Sequence, residues 1–150
     1  MAIEPVPSIR PAAEADAAQI RKMVGAEHLN PLGLDWRRFY VAEADGEIVA
    51  CVQLKPHGKV RELASLVVAP SWRRRGLGRS MVAFAQARAA PPLWLTCRST
   101  LIPFYDACGF HEVTELSKMP PYFALVRSLF DLAMVARLSR TSLAVMLWQG

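Results

Sequence analysis

The stretch from Glu62 to Ala89 constrains this chain more than any other, above all the run Arg73-Arg74-Arg75-Gly76-Leu77-Gly78-Arg79-Ser80. Ahead of it, Leu63-Ala64-Ser65-Leu66-Val67-Val68 is a near-continuous apolar run and reads as a buried strand. Pro70 ends that strand because it has no backbone N–H to give to a sheet. After the glycines, Leu77, Met81, Phe84 and Ala85 recur at helical spacing, so a helix begins near Gly76 and stops before Pro91-Pro92. The order is strand, basic loop, glycine turn, helix.

Such a turn has a chemical use. The first turn of a helix leaves its N–H groups without intrahelical partners and carries roughly half a positive charge. Glycine at positions 76 and 78 removes Cβ atoms that would hold an anion away. Arg73, Arg74, Arg75 and Arg79 add forked donors suited to phosphate. The run reads as a site for a polyphosphate, in particular a pyrophosphate. An arginine run is otherwise a solvated face or a nucleic-acid patch; its place between a buried strand and a helix start favours the phosphate site.

The spacing is not that of a nucleotide P-loop, since no Gly-Lys-Ser/Thr ends it, nor the three-glycine dinucleotide pattern. It resembles the coenzyme A signature of the GNAT N-acetyltransferase superfamily, an Arg or Gln, two residues, Gly, one residue, then Gly or Ala. Arg73, Gly76 and Gly78 fill those places. The flanks are similar too, with Val67-Val68-Ala69-Pro70 before the signature and Phe104-Tyr105-Asp106-Ala107-Cys108-Gly109-Phe110 after it. The resemblance runs from about Ser8 to Val113, and its three pieces come in the right order.

That resemblance implies an α/β (α+β) fold. Its sheet is mixed but mostly antiparallel, flanked by helices, with a V-shaped splay between the fourth and fifth strands. It implies acetyl-CoA as co-substrate, without a metal, and transfer of the acetyl group to a primary amine by direct attack. The diphosphate falls to Arg73, Arg74, Arg75, Gly76, Leu77, Gly78, Arg79 and Ser80. The pantetheine arm would lie in the splay and bond to backbone around Leu66, Val67 and Val68, as an added strand does. Where many members carry an asparagine seven residues before the tyrosine, this chain has Arg98.

Acyl transfer to an amine needs a base, because an alkylamine has a pKa near ~10.4, and an acid for the departing thiolate. Glu62 lies eleven positions before Arg73, the spacing of the catalytic glutamate in the histone-modifying branch of the family. A carboxylate there takes the amine's proton, directly or through water; the alternative is an ordinary charged residue on a strand, paired with Arg61. Tyr105 matches the family tyrosine that protonates the leaving sulfur; the alternative is a core aromatic beside Phe104 and Phe110. Cys97 has no histidine beside it in sequence, so it reads as a buried thiol rather than an acyl-carrying nucleophile.

The chain's 150 residues suffice for a single domain over 1–150, with a C-terminal helix and closing strand at about 120–148. A net charge of +5 is densest in the arginine loop and suits an anionic cofactor as well as nucleic acid. A nucleic-acid binder would also need aromatics interleaved with the basic residues. Cys51, Cys97 and Cys108, odd in number and widely spaced, read as free buried thiols of a reducing compartment. His28, His57 and His111 are scattered and form no metal-binding pattern. Met1 to Arg10 lacks a signal-peptide pattern, and charges interrupt the richest apolar region, so the expected setting is cytoplasmic, without a membrane span.

In chain order, the patterning predicts a strand at Ser8–Ala12 and a helix from Ala13 to Met23. A turn and short helix follow through Trp36, then a hairpin about Asp45-Gly46 and a second turn at Pro56-His57-Gly58. Val60–Val68 is the strand feeding the glycine turn. Leu93–Cys97 is a strand, Leu101–Cys108 a short helix ended by Gly109, and Phe110–Val113 a strand. From Pro120, apolar residues fall on more than one face of a helix, which packs on the sheet or serves as a homodimer or membrane-facing surface. Ser142–Trp148 closes the sheet.

The acceptor is a small-molecule amine or a protein amino group. Arg37 and Arg38 would pair with an acceptor carboxylate if they are not simply a solvated helix face. A second reading of the whole is an acyl-CoA-binding module that lacks catalysis.

Overall fold

The computed structural model describes residues 3–136 and 142–150. Among these residues seven strands form one sheet in the order β1-β2-β3-β4-β5-β7-β6. They are β1 (Ser8–Pro11), β2 (Phe39–Ala44), β3 (Glu47–His57), β4 (Val60–Val68), β5 (Leu93–Arg98), β6 (His111–Val113) and β7 (Leu143–Trp148). β1–β2, β2–β3, β5–β7 and β6–β7 pair antiparallel. β4 and β5 pair parallel through Arg61↔Leu93 and Glu62↔Trp94. That register is short for strands of nine and six residues.

By internal contacts the chain divides into two compact units, Met1–Lys55 with Leu63–Ala89, and Pro56–Glu62 with Ala90–Gly150. In the first unit, helix α1 (Ala17–Ala26) lays Ile20, Met23 and Val24 against Phe39, Val41, Cys51 and Val67. Its start lies later than the apolar spacing predicts, because Glu14–Asp16 forms a 3-10 turn instead. Asp16 explains that turn: its carboxylate accepts from the Ala13 N–H at 2.7 Å and from Arg10 Nη1 at 2.7 Å. The hairpin joining β2 to β3 turns at Asp45-Gly46, both with positive φ (51° and 78°), the conformation that matches strand twist.

Helix α2 (Leu77–Arg88) follows β4 through a 3-10 turn at Pro70–Trp72. It buries Leu77, Met81, Val82 and Ala85, the face that the sequence spacing marks, except that Phe84 is only half-buried. One irregularity was not legible in advance: Ser65, inside β4, has φ 56°, a left-handed residue in a strand.

In the second unit, Trp94, Val113, Met119, Phe123, Val145 and Leu147 form the core. A 3-10 turn at Ser99–Leu101 leads into helix α3 (Ile102–Asp106), and Gly109 closes that segment at φ 91°. Helix α4 (Pro121–Val135) buries Phe123 and leaves Leu125, Leu129, Leu132 and Val135 exposed.

Further boundaries differ from the sequence reading. α1 runs past Met23 to Ala26, carrying Gly25 inside it. β3 continues through Pro56 and His57, and the turn is Gly58-Lys59, with Gly58 at φ 62°. Proline is tolerated in a strand where its missing N–H is not needed, and His57 is held in line by the contacts described next.

Candidate active site

The first unit carries the N-terminal end of α2, where the sequence places a candidate anion site. Gly76 precedes the helix at φ 82°, and its exposed position needs a glycine for the backbone angle rather than for space, since a Cβ there would meet nothing within 4 Å. The Ser80 N–H makes the first i→i−4 bond, to the Gly76 carbonyl at 3.1 Å. The N–H groups of Leu77, Gly78 and Arg79 therefore lie ahead of the helical ladder. Ser80 Oγ donates to the same Gly76 carbonyl at 3.2 Å. Arg74, itself at φ 61°, and Arg79 are exposed beside that end. Bare N–H groups, open space at Gly76 and solvated guanidinium groups fit a polyphosphate.

Arg73 and Arg75 are engaged differently. Arg73 Nε donates to the Val68 carbonyl at 3.0 Å, and its Nη2 donates to Glu27. It thus ties the basic loop back to the end of β4 and to α1. Arg75 lies over the Trp72 ring at 5.0 Å and 3.5 Å from the Glu4 carboxylate. Of the three strand residues expected at the pantetheine arm, Val67 is buried while Leu66 and Val68 are half-buried. They follow directly on the Ser65 irregularity, whose carbonyl accepts from the Cys51 thiol at 3.6 Å. Burial pushes that thiol up to about 12, against a bond from the Val67 N–H that lowers it.

The loop between α1 and β2 is fastened to β3 in the same unit. Gln53 Nε2 donates to the Gly33 carbonyl at 3.0 Å and Lys55 Nζ to the Leu32 carbonyl at 3.0 Å. Arg37 and Arg38 both reach Asp35, at 3.3 and 3.8 Å, and Arg37 covers the Trp36 ring. The bond from Arg37's own N–H and the two guanidinium groups hold the Asp35 carboxyl below the usual carboxylate range.

The second unit carries the proton-transfer candidates. Glu62 is buried, 6% exposed. Its Oε2 lies 2.5 Å from His57 Nε2. The imidazole is stacked on Tyr122, ring centres 3.7 Å apart and planes 14° apart, with the edge of Phe123 at 5.7 Å. Burial, then the Glu62 charge, raises the Tyr122 phenol. Besides the base role, the sequence left open an ordinary charged residue paired with Arg61; the structure brings His57 to the carboxylate. His57 is the residue that sequence reasoning missed. The signal lay in the turn: a two-residue loop at Gly58-Lys59 makes positions 57 and 62 diagonal neighbours on one face of the hairpin.

Tyr105 is buried, packed edge-on against Phe104 and Phe110. Desolvation, then the nearby Cys97 and Cys108 thiols, raises its phenol well above the ordinary value. It is a proton holder, not a phenolate. Cys97 is pushed up to about 11 by burial, then by Glu112, which leaves it a thiol. Cys108 is half-buried rather than buried. Among the described residues no group of His, Cys, Asp or Glu side chains is arranged to hold a metal ion, and no helix is long and apolar enough to cross a membrane.

Comparison with known proteins bears on both units. A family model described as an acetyltransferase (GNAT) domain matches residues 35–112. The mycothiol acetyltransferase of Mycolicibacterium vanbaalenii is 34% identical over 113 residues, 73% of this chain and 36% of that protein. The chain spans about a third of the length of the curated relatives it matches. Among solved structures, N-acetylglutamate synthase from Neisseria gonorrhoeae, complexed with coenzyme A and N-acetyl-glutamate, superposes with a TM-score of 0.74 at 19% identity, covering 99% of this chain and 36% of that one. Rv2747 from Mycobacterium tuberculosis, in complex with CoA, gives 0.73 at 20% identity, covering 96% of this chain and 99% of that one. At these identities the two structures speak for the fold.

Proposed function

The chain belongs to the GNAT acetyltransferase family, and from that premise we propose that it transfers an acetyl group from acetyl-CoA to a primary amine of a small molecule or a protein. The observation that carries this reading is the bare N-terminus of α2 behind a left-handed Gly76. Structures of the same fold crystallised with coenzyme A or acetyl-CoA support the choice of anion.

Acetyl-CoA, when bound, supplies a thioester carbonyl as the electrophile. The N–H groups of Leu77, Gly78 and Arg79 would hold its diphosphate, with Arg74, Arg75 and Arg79 adding charge and Ser80 closing the turn. Arg73 acts one step back, bracing the loop against Val68 and Glu27. Leu66, Val67 and Val68 would offer backbone groups to the extended arm.

Glu62 takes the proton that the acceptor ammonium must lose. A carboxylate can accept that proton, directly or through water. Tyr105 supplies the proton at the other end of the reaction. Its burial keeps the phenol neutral across the physiological range, so the donor is always loaded.

The test is an acceptor panel of amines and peptides read by release of free thiol from acetyl-CoA. Turnover that depends on both Glu62 and Tyr105 supports the reading. Binding of acetyl-CoA without turnover of any acceptor would leave only a binding module.

A further inference from the structure

We propose that His57 is the positioning residue for the base, holding Glu62 ionised and fixing its carboxylate through Nε2. The inference rests on the reading of Glu62 as the base, and it assigns a role to a side chain outside the family's signature.

A base that works at neutral pH must be ionised before the amine arrives. Burial works against that, since the charged carboxylate is the form that desolvation penalises. Donation to the charged form works for it. Glu62 has such a donor in His57, 2.5 Å from Oε2. An ionised carboxylate only accepts hydrogen bonds, so Nε2 carries the hydrogen.

The imidazole is itself locked. Stacking on Tyr122 fixes the ring plane and Phe123 closes one edge, so the ring has little rotational freedom. Helix α4 thereby reaches the base through His57. Among the groups that face the carboxylate are His57 from β3 and the neutral Tyr122 phenol from α4; β5 brings Trp94, which does not titrate. Lys59 lies at the turn between β3 and β4, on the rim of an open cleft that His57 and Tyr122 also line. His57 is therefore the partner nearer water, with 20% of its side chain exposed against 8% for Glu62.

The claim differs from a packing role in what it predicts about pH. Replacing the imidazole by a ring without N–H, His57→Phe, keeps a stacking partner for Tyr122 and removes the donor. The Glu62 titration midpoint should then rise by about one pH unit or more. The acid limb of kcat/KM should rise by the same amount, so activity drops by up to about 10-fold on the acid side of the limb and recovers at higher pH. His57→Gln, whose amide N–H can replace Nε2–H, should hold both close to the wild-type values.

The experiment uses the full chain with carboxyl-13C-labelled glutamate, the Glu62 resonance being identified by its loss in Glu62→Gln. Titration by NMR is run beside the pH dependence of kcat/KM for wild type, His57→Phe and His57→Gln. A raised midpoint and a raised acid limb in His57→Phe alone is the expected result. An unchanged midpoint in His57→Phe, or a loss of activity equal at every pH, overturns the proposal. If the wild type binds acetyl-CoA but transfers no acetyl group, the acetyltransferase reading fails, and the NMR titration still decides what His57 does to Glu62.

Discussion

At Gly76 the backbone sits at φ 82°, where any residue with a Cβ is strained. Because open space surrounds that position, Gly76→Ala should cost only that strain, about 1–2 kcal/mol in urea unfolding, and no cavity or clash term. Tyr105→Phe removes the acid while keeping the ring among Phe104 and Phe110, so kcat should fall about 10²-fold or more, with acetyl-CoA affinity unchanged by calorimetry. Its raised phenol also means that wild-type kcat should not decline between pH 8 and pH 10 on account of Tyr105; a basic limb lost in Tyr105→Phe would contradict the buried geometry. Glu62, Tyr105 and the glycine turn were legible in the sequence because local spacing and family resemblance carry them. His57 was not, since its importance comes from a partner across a turn whose position the pattern Pro56-His57-Gly58 misplaced by one residue. Arg73 was legible as a cation, yet its use as a brace depends on Glu27, 46 residues away.

Among the elements, β4 and α2 were the easiest to foresee, because a continuous apolar run and a helical repeat flank two glycines. The Ser65 irregularity inside β4 leaves no mark in that apolar run, so nothing local announced it. For α4 the sequence shows apolar residues on more than one face but not which face is buried, since hydrophobicity alone does not rank them. The structure ranks them: Phe123 is wholly buried against Trp94, whereas Leu132 is 65% exposed. Phe123→Ala should therefore destabilise by about 3–5 kcal/mol, and Leu132→Ser by no more than about 0.5 kcal/mol, both measured by denaturant unfolding. Comparable losses at the two positions would mean that α4 is covered on its outer face as well.

For the molecule as a whole, stability should depend on pH at both ends of the range. Asp16, lowered first by its bonds from Arg10, contributes stability that is full above the ordinary aspartate range and is lost as pH falls through its folded value. On the alkaline side the sign reverses. Cys51 and Cys97, pushed up to about 12 and about 11, stay protonated in the fold while the unfolded chain ionises from near 9.0, so the melting temperature should fall progressively above pH 9. Cys51→Ala should flatten that decline. All of these depend less on function than the claim that the start of α2 grips the diphosphate of acetyl-CoA, and calorimetric titration with acetyl-CoA tests that claim most directly. Gly78→Glu places a carboxylate in the first turn of α2, where a negative charge favours the helix but repels the ligand. The account predicts saturable binding to the wild type and none to a Gly78→Glu variant that melts at or above the wild-type temperature; equal affinity in the two proteins, or no affinity in either, would contradict it.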